Sequence, residues 1–274
     1  MRIALTIAGS DSGGGAGIQA DLKTFQQFGV FGTSAIVALT AQNTLGVRLV
    51  EPVSAAMVEA QLQALADDLP PDAVKSGMLA TSELVAQVAA AIRRFGWTRY
   101  VLDPVMVATS GDRLLSADAE ATVQRELLPL AMLVTPNLEE AAILTDMTVE
   151  HEAAMIAAGQ RLLELGAGAA LVKGGHLPGN VLVDVLVTPD RVQRFSHPRI
   201  DTTSTHGTGC TLSAAITAGL ARGDTLPDAV ANALDYLHRA IASAPGLGGG
   251  HGPVDHGTGA RWPAPTHDHG TGAR

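Results

Sequence analysis

The segment from His206 to Cys210, with the sequence His-Gly-Thr-Gly-Cys, combines residue types that can bind an anion and transfer a proton. It precedes an alanine-rich, uncharged run, Thr211–Leu220, whose composition predicts a buried helix. A helix N-terminus carries a partial positive charge and unpaired N–H groups, and glycines let a ligand approach the backbone closely. We therefore expect the amides of Gly207–Gly209 to bind negative charge, as a phosphoryl-transfer site requires.

Cys210 is the single cysteine of the chain and the side chain in this segment with the most reactive chemistry. The positive end of the following helix is expected to lower its pKa and favour the thiolate, which would make it a candidate base or nucleophile. The alternative is that it serves as a small buried apolar side chain. A single cysteine excludes an intrachain disulfide and is typical of a reducing compartment, so we expect a cytoplasmic protein.

A second glycine-rich loop, Gly9–Gly17, lies near the start of the chain. It follows the apolar run Ile3–Ala8, a predicted strand, and precedes a helix predicted to begin at Ile18. In a strand–loop–helix arrangement the loop amides can contact a phosphate or a small polar substrate. No Gly-Lys-Ser/Thr closes the loop, so it is not a Walker loop, and a plain tight turn is the alternative.

Four polar residues follow predicted strands: Gln42, Asp103, Glu140 and Lys173. The alternation of strands and helices predicts a mostly parallel sheet with helices on both faces, and ligands of such folds bind at the C-terminal ends of the strands. The two carboxylates are candidates for binding Mg²⁺, and the lysine for binding nucleotide phosphate. The alternatives are a turn-forming Asp103 before proline, a helix-start acid at Glu140, and a solvated strand end at Lys173.

Length and composition predict one large α/β domain, residues 1–255. The hydrophobic content of 46% is typical of a globular protein with much buried structure. A net charge of −9, without a cluster of Lys and Arg, argues against a nucleic-acid groove. The apolar N-terminal run is too short to cross a membrane, so no membrane partner is expected.

The last residues differ in composition from the rest of the chain. They are rich in Gly, Pro and His, and the hexapeptide His-Gly-Thr-Gly-Ala-Arg occurs twice, at His256–Arg261 and His269–Arg274. Such a composition cannot bury a core, so residues 256–274 are predicted to form a flexible tail.

Seven segments carry motifs that occur together in one family: Ala8–Asp21, Leu39–Asn43, Lys75–Leu79, Asp103–Met106, Thr135–Asn137, Val172–His176 and Thr205–Ala214. In this order they resemble the hydroxymethylpyrimidine/phosphomethylpyrimidine kinases of thiamine biosynthesis, within the ribokinase-like superfamily. The resemblance implies a ribokinase-like α/β fold and a homodimer. It also implies an ATP- and Mg²⁺-dependent enzyme that phosphorylates 4-amino-5-hydroxymethyl-2-methylpyrimidine and then its monophosphate.

The resemblance also implies roles for individual residues. The pyrimidine pocket would be formed by Gly9, Asp21, Gln42, Met78 and Val105, with the Gln42 amide pairing with a ring nitrogen and the exocyclic amine. Cys210 takes the place that the wider superfamily usually gives to an aspartate base. The remaining assignments are Gly207, Thr208 and Gly209 for catalysis, Lys173, Thr208 and Glu140 for ATP, and Asp103 and Glu140 for the metal.

The chain departs from the family pattern at Leu234, where the family usually has a lysine two residues before the aromatic found here as Tyr236. Three alternative functions remain open on the sequence. The first is a pyridoxal or pyridoxine kinase of the same branch, and the second is a thiol-dependent transferase that uses Cys210 as a covalent nucleophile. The third is a catalytically idle relative that binds ligands without turnover.

Overall fold

One mixed β-sheet organises the chain in the computed structural model, which describes residues 1–106, 115–175, 177 and 179–258. Its strands are β1 (Ile3–Asp11), β2 (Phe31–Asn43), β3 (Gly46–Pro52), β4 (Ala73–Ser76), β5 (Tyr100–Leu102), β6 (Leu133–Val134), β7 (Ala170–Val172), β8 (Val181–Val187) and β9 (Val192–Pro198). The helices are α1 (Gly17–Gln27), α2 (Ala55–Asp68), α3 (Ser82–Phe95), α4 (Ala117–Thr122), α5 (Leu138–Thr145), α6 (Glu152–Glu164), α7 (Thr208–Arg222) and α8 (Leu226–Ala242).

The strands are arranged in the order β3-β2-β1-β4-β5-β6-β7-β8-β9. The six strands from β2 to β7 in this order run parallel, whereas β3 and the β8–β9 hairpin join the two edges in antiparallel orientation. This topology confirms the predicted α/β fold with a mostly parallel sheet. Its C-terminal strand ends lie along one edge, where ligands of such folds bind.

Helices cover both faces of the sheet, so successive residues of a strand point into different cores. Leu5 and Val74 belong to one core with α2, α3, α4 and α6, whereas their neighbours Ala4 and Ala73 belong to a second core with α1, α7 and α8. Continuous apolar strands are what a sheet covered by helices on both sides requires. Leu234, the position at which the family usually has lysine, is 4% exposed and packs in the second core.

The helix ends follow local capping chemistry in most places. Ser54 and Thr81 accept hydrogen bonds from the first-turn amides of α2 and α3, and Gly96 ends α3 in the left-handed region at φ 66°. From Ser116 the sequence predicts a helix to about Leu128, but α4 is shorter and is followed by a π-helical turn and a 3₁₀ turn that contains Pro129. Because proline has no N–H and clashes with the preceding turn, an α-helix does not continue through it.

His256, the residue at which composition places the start of the tail, is packed against the domain. His256 is 7% exposed, its carbonyl oxygen accepts from the Tyr236 hydroxyl at 2.9 Å, and its Nε2 lies 3.1 Å from Thr211 Oγ1. His256 therefore packs against α7 and α8 rather than belonging to a tail. Residues 107–114 and 259–274 are outside the described residues, as are His176 and Pro178. Among the described helices, none is long and apolar enough to cross a membrane.

Candidate active site

The two glycine-rich loops are in direct contact at the C-terminal edge of the sheet. Gly207 is the residue before α7 and adopts a left-handed φ of 78°. A Cβ atom added there would lie 1.8 Å from the carbonyl oxygen of Gly15, so only glycine allows the two loops to approach this closely. Gly17, at φ 55°, has the same requirement, because its Cβ would lie 2.3 Å from the carbonyl oxygen of Gly9.

Helix α7 begins at Thr208, three residues before the predicted start at Thr211. Gly209 and Cys210 therefore lie within its first turn, where the backbone N–H groups have no intrahelical acceptor. The Thr208 hydroxyl donates to the carbonyl oxygen of Thr205 at 3.1 Å, which holds the first turn against the preceding loop. The geometry is that of an anion site at a helix N-terminus.

The structure contradicts the expectation that Cys210 is a thiolate. Burial raises the pKa of the Cys210 thiol to about 12; the ammonium group of Lys75 opposes this rise, while the carboxylates of Asp21 and Asp103 add to it. The Gly17 N–H also donates to the sulfur. The helix N-terminus is thus outweighed by desolvation and by two nearby negative charges, and the resting side chain is a neutral thiol.

Asp103, Glu140 and Lys173 lie together, as their places at strand ends predict. Lys173 Nζ lies 3.5 Å from Asp103 Oδ1 and 3.8 Å from Glu140 Oε2. Asp103 is 1% exposed and also accepts from the hydroxyls of Ser213 at 3.0 Å and Thr135 at 3.3 Å. Ser213 lies on α7, so the Asp103 carboxylate connects this helix with the ammonium group of Lys173, the residue after β7.

Glu140 proves to be both a helix-start acid and a member of this cluster. It forms a capping box with Asn137: the Asn137 N–H donates to Glu140 Oε2 at 2.8 Å, and the Glu140 N–H donates to Asn137 Oδ1 at 2.9 Å. Burial raises the pKa of Glu140 to about 7, against the attraction of Lys173 and with the repulsion of Asp103. The two interpretations of the sequence are therefore compatible.

These carboxylates suit a magnesium ion that is bound largely through other ligands. Asp103 and Glu140 offer oxygen atoms, the donors that Mg²⁺ prefers. Among the described residues no three His, Cys, Asp or Glu side chains gather as a metal cage. Because Mg²⁺ in phosphoryl-transfer sites usually keeps waters and binds substrate phosphates through one or two carboxylates, the two residues fit such a site.

Asp21 lies beneath the site as half of a buried ion pair. Lys75 Nζ lies 2.8 Å from Asp21 Oδ1, both side chains are 0% exposed, and the Thr6 hydroxyl donates to Asp21 Oδ2 at 2.6 Å. Lys75 also lies 3.5 Å from the Cys210 carbonyl oxygen and 4.0 Å from Asp103 Oδ2. Burial alone would lower the pKa of Lys75, but these carboxylates raise it. The Asp21 side chain thus acts inside the protein, under the loop, rather than on an open pocket wall.

Sequence reasoning assigned no role to Lys75, although the residue opens one of the matched segments. The available signal was a lysine within a short strand predicted to be central in the sheet, because a strand buried on both faces has no place for an unpaired charge.

Of the remaining predicted pocket residues, Met78 and Gln42 lie near the first loop, and Val105 follows β5. The Met78 methyl group would be 2.6 Å from a Cβ at Gly9, so the glycine leaves room for this side chain, which is 8% exposed. Val105 is half-buried two residues after Asp103. Gln42 is half-buried near the end of β2, with its backbone paired to Ser12 of the loop.

The groups at this edge of the sheet are those that a phosphoryl-transfer site requires, and comparison with known proteins agrees with this. A family model described as phosphomethylpyrimidine kinase matches residues 11–255. The chain belongs to this kinase family. A hydroxymethylpyrimidine/phosphomethylpyrimidine kinase of Rhizobium meliloti is 56% identical over 93% of this chain and 96% of the relative. The Escherichia coli protein of the same description is 49% identical over 92% of this chain and 96% of its own length.

Solved structures show the same fold in this family and in pyridoxal kinases. A phosphomethylpyrimidine kinase from Clostridium difficile superposes with a TM-score of 0.80 at 40% identity, covering 88% of this chain and 100% of the relative. An ADP complex of Bacillus subtilis pyridoxal kinase superposes with a TM-score of 0.88 at 38% identity, covering 94% of this chain and 98% of the relative. The ribokinase-like fold expected from the sequence is thereby confirmed.

Proposed function

We propose that the protein transfers a phosphoryl group from ATP to the hydroxymethyl group of 4-amino-5-hydroxymethyl-2-methylpyrimidine, and then to the resulting monophosphate, in thiamine biosynthesis. The observation that supports the proposal is the contact between the two glycine loops: Gly207, the residue before α7, touches Gly15 of the first loop, beside which the acceptor pocket is proposed to lie. An acceptor in that pocket lies next to amides that can bind the transferred group.

ATP is the phosphoryl donor in this proposal, and its phosphates face the N-terminus of α7 and Lys173. The related Staphylococcus aureus pyridoxal kinase has been solved with AMP-PCP and pyridoxal, at 32% identity and a TM-score of 0.88. Backbone amides of Gly209 and Cys210 donate toward the transferred oxygens, and Lys173 adds a cation close to them. Asp103 and Glu140 would hold Mg²⁺, whose chemistry is the neutralisation of phosphate charge.

Cys210 acts in this site as a neutral thiol close to the acceptor hydroxyl. The superfamily analogy suggests a base at this position. Because the pKa of the Cys210 thiol is about 12, the side chain is not a thiolate at rest and does not take up the proton of the acceptor hydroxyl. Phosphoryl transfer proceeds through a loose transition state in which the acceptor loses its proton late, so positioning of the hydroxyl contributes more than its early deprotonation. The Gly17 N–H that donates to the sulfur fixes the thiol for that purpose.

The test is ATP consumption by the purified protein with Mg²⁺ and each of three acceptors: hydroxymethylpyrimidine, its monophosphate and pyridoxal. Turnover of both pyrimidines, with pyridoxal slow, is expected. Preference for pyridoxal with an inert monophosphate would replace the proposal by a vitamin B6 kinase on the same scaffold. That second candidate is favoured by one observation, the backbone likeness to the B. subtilis pyridoxal kinase.

A thiol-dependent transferase is the weakest of the alternatives, because a covalent nucleophile needs a thiolate and burial keeps Cys210 protonated. A homodimer and a cytoplasmic location stay predictions. Sedimentation equilibrium of the purified protein tests the first, and fractionation of cells that express it tests the second.

A further inference from the structure

After helix α8 the chain crosses back over the ligand-binding edge of the sheet. We call residues 248–254, with the sequence Gly-Gly-Gly-His-Gly-Pro-Val, the strap. Its first two residues are exposed, and its last, Val254, is 2% exposed. A segment made largely of glycine buries little apolar surface, and ordering it costs conformational entropy. The contacts of the strap therefore indicate a role other than filling the core.

The first part of the strap packs on Thr44, in the turn between β2 and β3. The His251 N–H donates to the carbonyl oxygen of Thr44 at 2.9 Å, and the Gly250 N–H donates to its Oγ1 at 3.3 Å. A Cβ at Gly250 would overlap that carbonyl oxygen and lie 2.7 Å from its carbon, so only glycine fits. Thr44 lies two residues after Gln42, whose backbone is held by Ser12 of the first loop. The strap thus holds the end of β2 from its other side.

The second part of the strap contacts the two glycine-rich loops. The carbonyl oxygen of Gly252 accepts from the N–H of His206, two residues before α7, at 3.0 Å. The His206 ring in turn reaches the first loop, where its Nε2 lies 2.8 Å from Asp11 Oδ2. A Cβ at Gly15 of that loop would lie 2.9 Å from Pro253 Cβ. Three successive strap residues, 251 to 253, therefore contact the β2–β3 turn, the loop before α7 and the first loop.

The chain is anchored immediately after the strap. The Asp255 N–H donates to the carbonyl oxygen of Ala240 on α8 at 2.9 Å. The next residue, His256, is held by Tyr236 of α8 and lies against Thr211 of α7. Because this end is fixed to both helices, the strap holds the β2–β3 turn at a set distance from α7 instead of moving with it.

We propose that the strap is a positioning element for phosphoryl transfer, which holds the acceptor side of the site at the end of β2 in place against the N-terminus of α7. The proposal rests on the proposed function, in which the acceptor lies beside the first loop and the transferred group meets the amides of α7. A misplacement of about 1 Å between reacting groups can lower a rate by about 100-fold. The strap acts through Thr44 and His206, so its residues are positioning residues.

Three glycine-to-alanine variants along this segment test the proposal. Gly250→Ala places a methyl group against the Thr44 backbone, and Gly248→Ala, at φ 82°, places one 2.8 Å from Thr44 Cβ. Gly246→Ala is the matched control: it precedes the strap, has a φ of 65°, and its Cβ would have no neighbour within 4 Å. Since alanine is strained at both left-handed positions, the difference between Gly248→Ala and Gly246→Ala reports the contact with Thr44.

The variants are expected to differ in their use of the acceptor. Gly250→Ala should lower kcat/KM for hydroxymethylpyrimidine by about 100-fold and Gly248→Ala by about tenfold, whereas Gly246→Ala should change it by less than about twofold. The KM for ATP and the rate of ATP hydrolysis without an acceptor should change by less than about twofold in all three, because the N-terminus of α7 and Lys173 keep their places. If Gly250→Ala impairs these two quantities as much as it impairs acceptor use, the strap is merely structural and the proposal is wrong.

A double-mutant cycle with Thr44→Gly shows whether the loss passes through this contact. Thr44→Gly removes the side chain that a methyl group at position 248 would meet. In that background Gly248→Ala should lower kcat/KM by less than about twofold, against about tenfold in the unaltered protein. A tenfold loss that persists without the Thr44 side chain would overturn the proposal. This cycle also decides the question if thermal unfolding shows that Gly250→Ala does not fold.

The failure of the strap proposal and the failure of the proposed function give different results. If the unaltered protein phosphorylates neither pyrimidine, the proposed function is wrong, and the same comparison of variants is made with pyridoxal as the acceptor. If the unaltered protein phosphorylates the pyrimidines and Gly250→Ala matches Gly246→Ala in kcat/KM, only the strap proposal is wrong.

Discussion

Two lysines at the same edge of the sheet differ in how completely their charge is satisfied. Lys75 is inaccessible, and its ammonium lies 2.8 Å from a carboxylate that is also inaccessible. Lys173 keeps 15% of its side chain exposed, and its nearest carboxylate oxygens are 3.5 and 3.8 Å away. The first pair is closed by short contacts, whereas the longer distances of the second hold the Lys173 ammonium less tightly, so that it can contact an incoming anion.

The difference indicates which half of the site is scaffold and which half meets the nucleotide. A buried, fully paired charge contributes little net stability, but it is costly to break. The Lys173 ammonium, held less tightly by Asp103 and Glu140, can bind an entering phosphate instead. Asp103 belongs to both halves, since one of its oxygens faces each lysine.

Removing each lysine should therefore give opposite results, and these are the largest effects we expect. Lys75→Met leaves Asp21 buried without its partner and should lower the free energy of unfolding by about 3–5 kcal/mol. Lys173→Met should lower it by only about 1 kcal/mol but reduce kcat/KM for ATP by about 10²–10³. Urea unfolding and steady-state kinetics measure the two quantities.

The matched control is Lys75→Met combined with Asp21→Asn, which removes both charges of the buried pair and should recover part of the lost stability. Equal destabilisation by the two single lysine variants would show that Lys173 is as much a part of the scaffold as Lys75.

Glu140 belongs to the open half, and its burial predicts an unusual dependence of stability on pH. Its folded-state pKa of about 7 lies above its ordinary value of 4.5, so between these pH values the folded protein binds more protons than the unfolded chain. The free energy of unfolding should therefore fall as pH rises from 4.5 to 7, and Glu140 should contribute about 3 kcal/mol to this fall. Above pH 7 the contribution of Glu140 should no longer change.

Urea unfolding without Mg²⁺ and nucleotide, at several pH values, measures this slope. Glu140→Gln is a suitable control because glutamine also forms a capping box. The variant should lose the Glu140 part of the slope; a slope that is the same in both proteins would mean that Glu140 titrates normally.

Cys210 lies between the two halves, and its replacement should separate the two phosphorylation steps. Cys210→Ala should reduce kcat for the hydroxymethyl acceptor by about tenfold, because the thiol that positions its hydroxyl is lost. It should reduce kcat for the monophosphate by less than about threefold, because this acceptor is already largely ionised and relies on the anion site instead. Cys210→Ser keeps an acceptor for the Gly17 N–H, so its kcat for the hydroxymethyl acceptor should lie between that of the unaltered protein and that of Cys210→Ala. Equal losses in both steps would contradict this division.

Most of the fold could be predicted because its elements are long and have clear local signals. For helix α3 the local sequence predicts the observed bounds, Ser82–Phe95, since a cap, an amphipathic run and a final glycine all agree. Helix α5 is harder to predict, because its first residues, Leu138-Glu139-Glu140, indicate only an acidic turn. It has eight residues, and its one strong signal was the capping box formed by Asn137 and Glu140.

The site could be predicted where function follows from position along the chain. Asp103, Glu140 and Lys173 follow successive strands, and parallel strands bring their ends to one edge. The pairs that support the site could not be predicted this way. Asp21 and Lys75 are 54 residues apart, and Asp11 and His206 are 195 apart, so no local pattern joins them.

The pKa of Cys210 shows the same limit in energetic terms. The helix N-terminus could be recognised from sequence, and it favours a thiolate. The two carboxylates that outweigh it come from helix α1 and from the residue after β5, and the desolvation depends on how tightly the sheet edge packs.

The smallest effect we expect tests whether the capping box also holds Glu140 in place for the nucleotide. Asn137→Ala removes the side-chain acceptor at the start of α5 and should lower the free energy of unfolding by about 1 kcal/mol. Because the Asn137 N–H bond to Glu140 Oε2 loses its reciprocal partner, we expect the KM for Mg²⁺–ATP to rise by about threefold as well. Asn137→Ser keeps a capping oxygen and should restore both quantities. If alanine lowers stability but leaves that KM unchanged, the cap belongs to the closed scaffold, and Glu140 is positioned by burial and Lys173 alone.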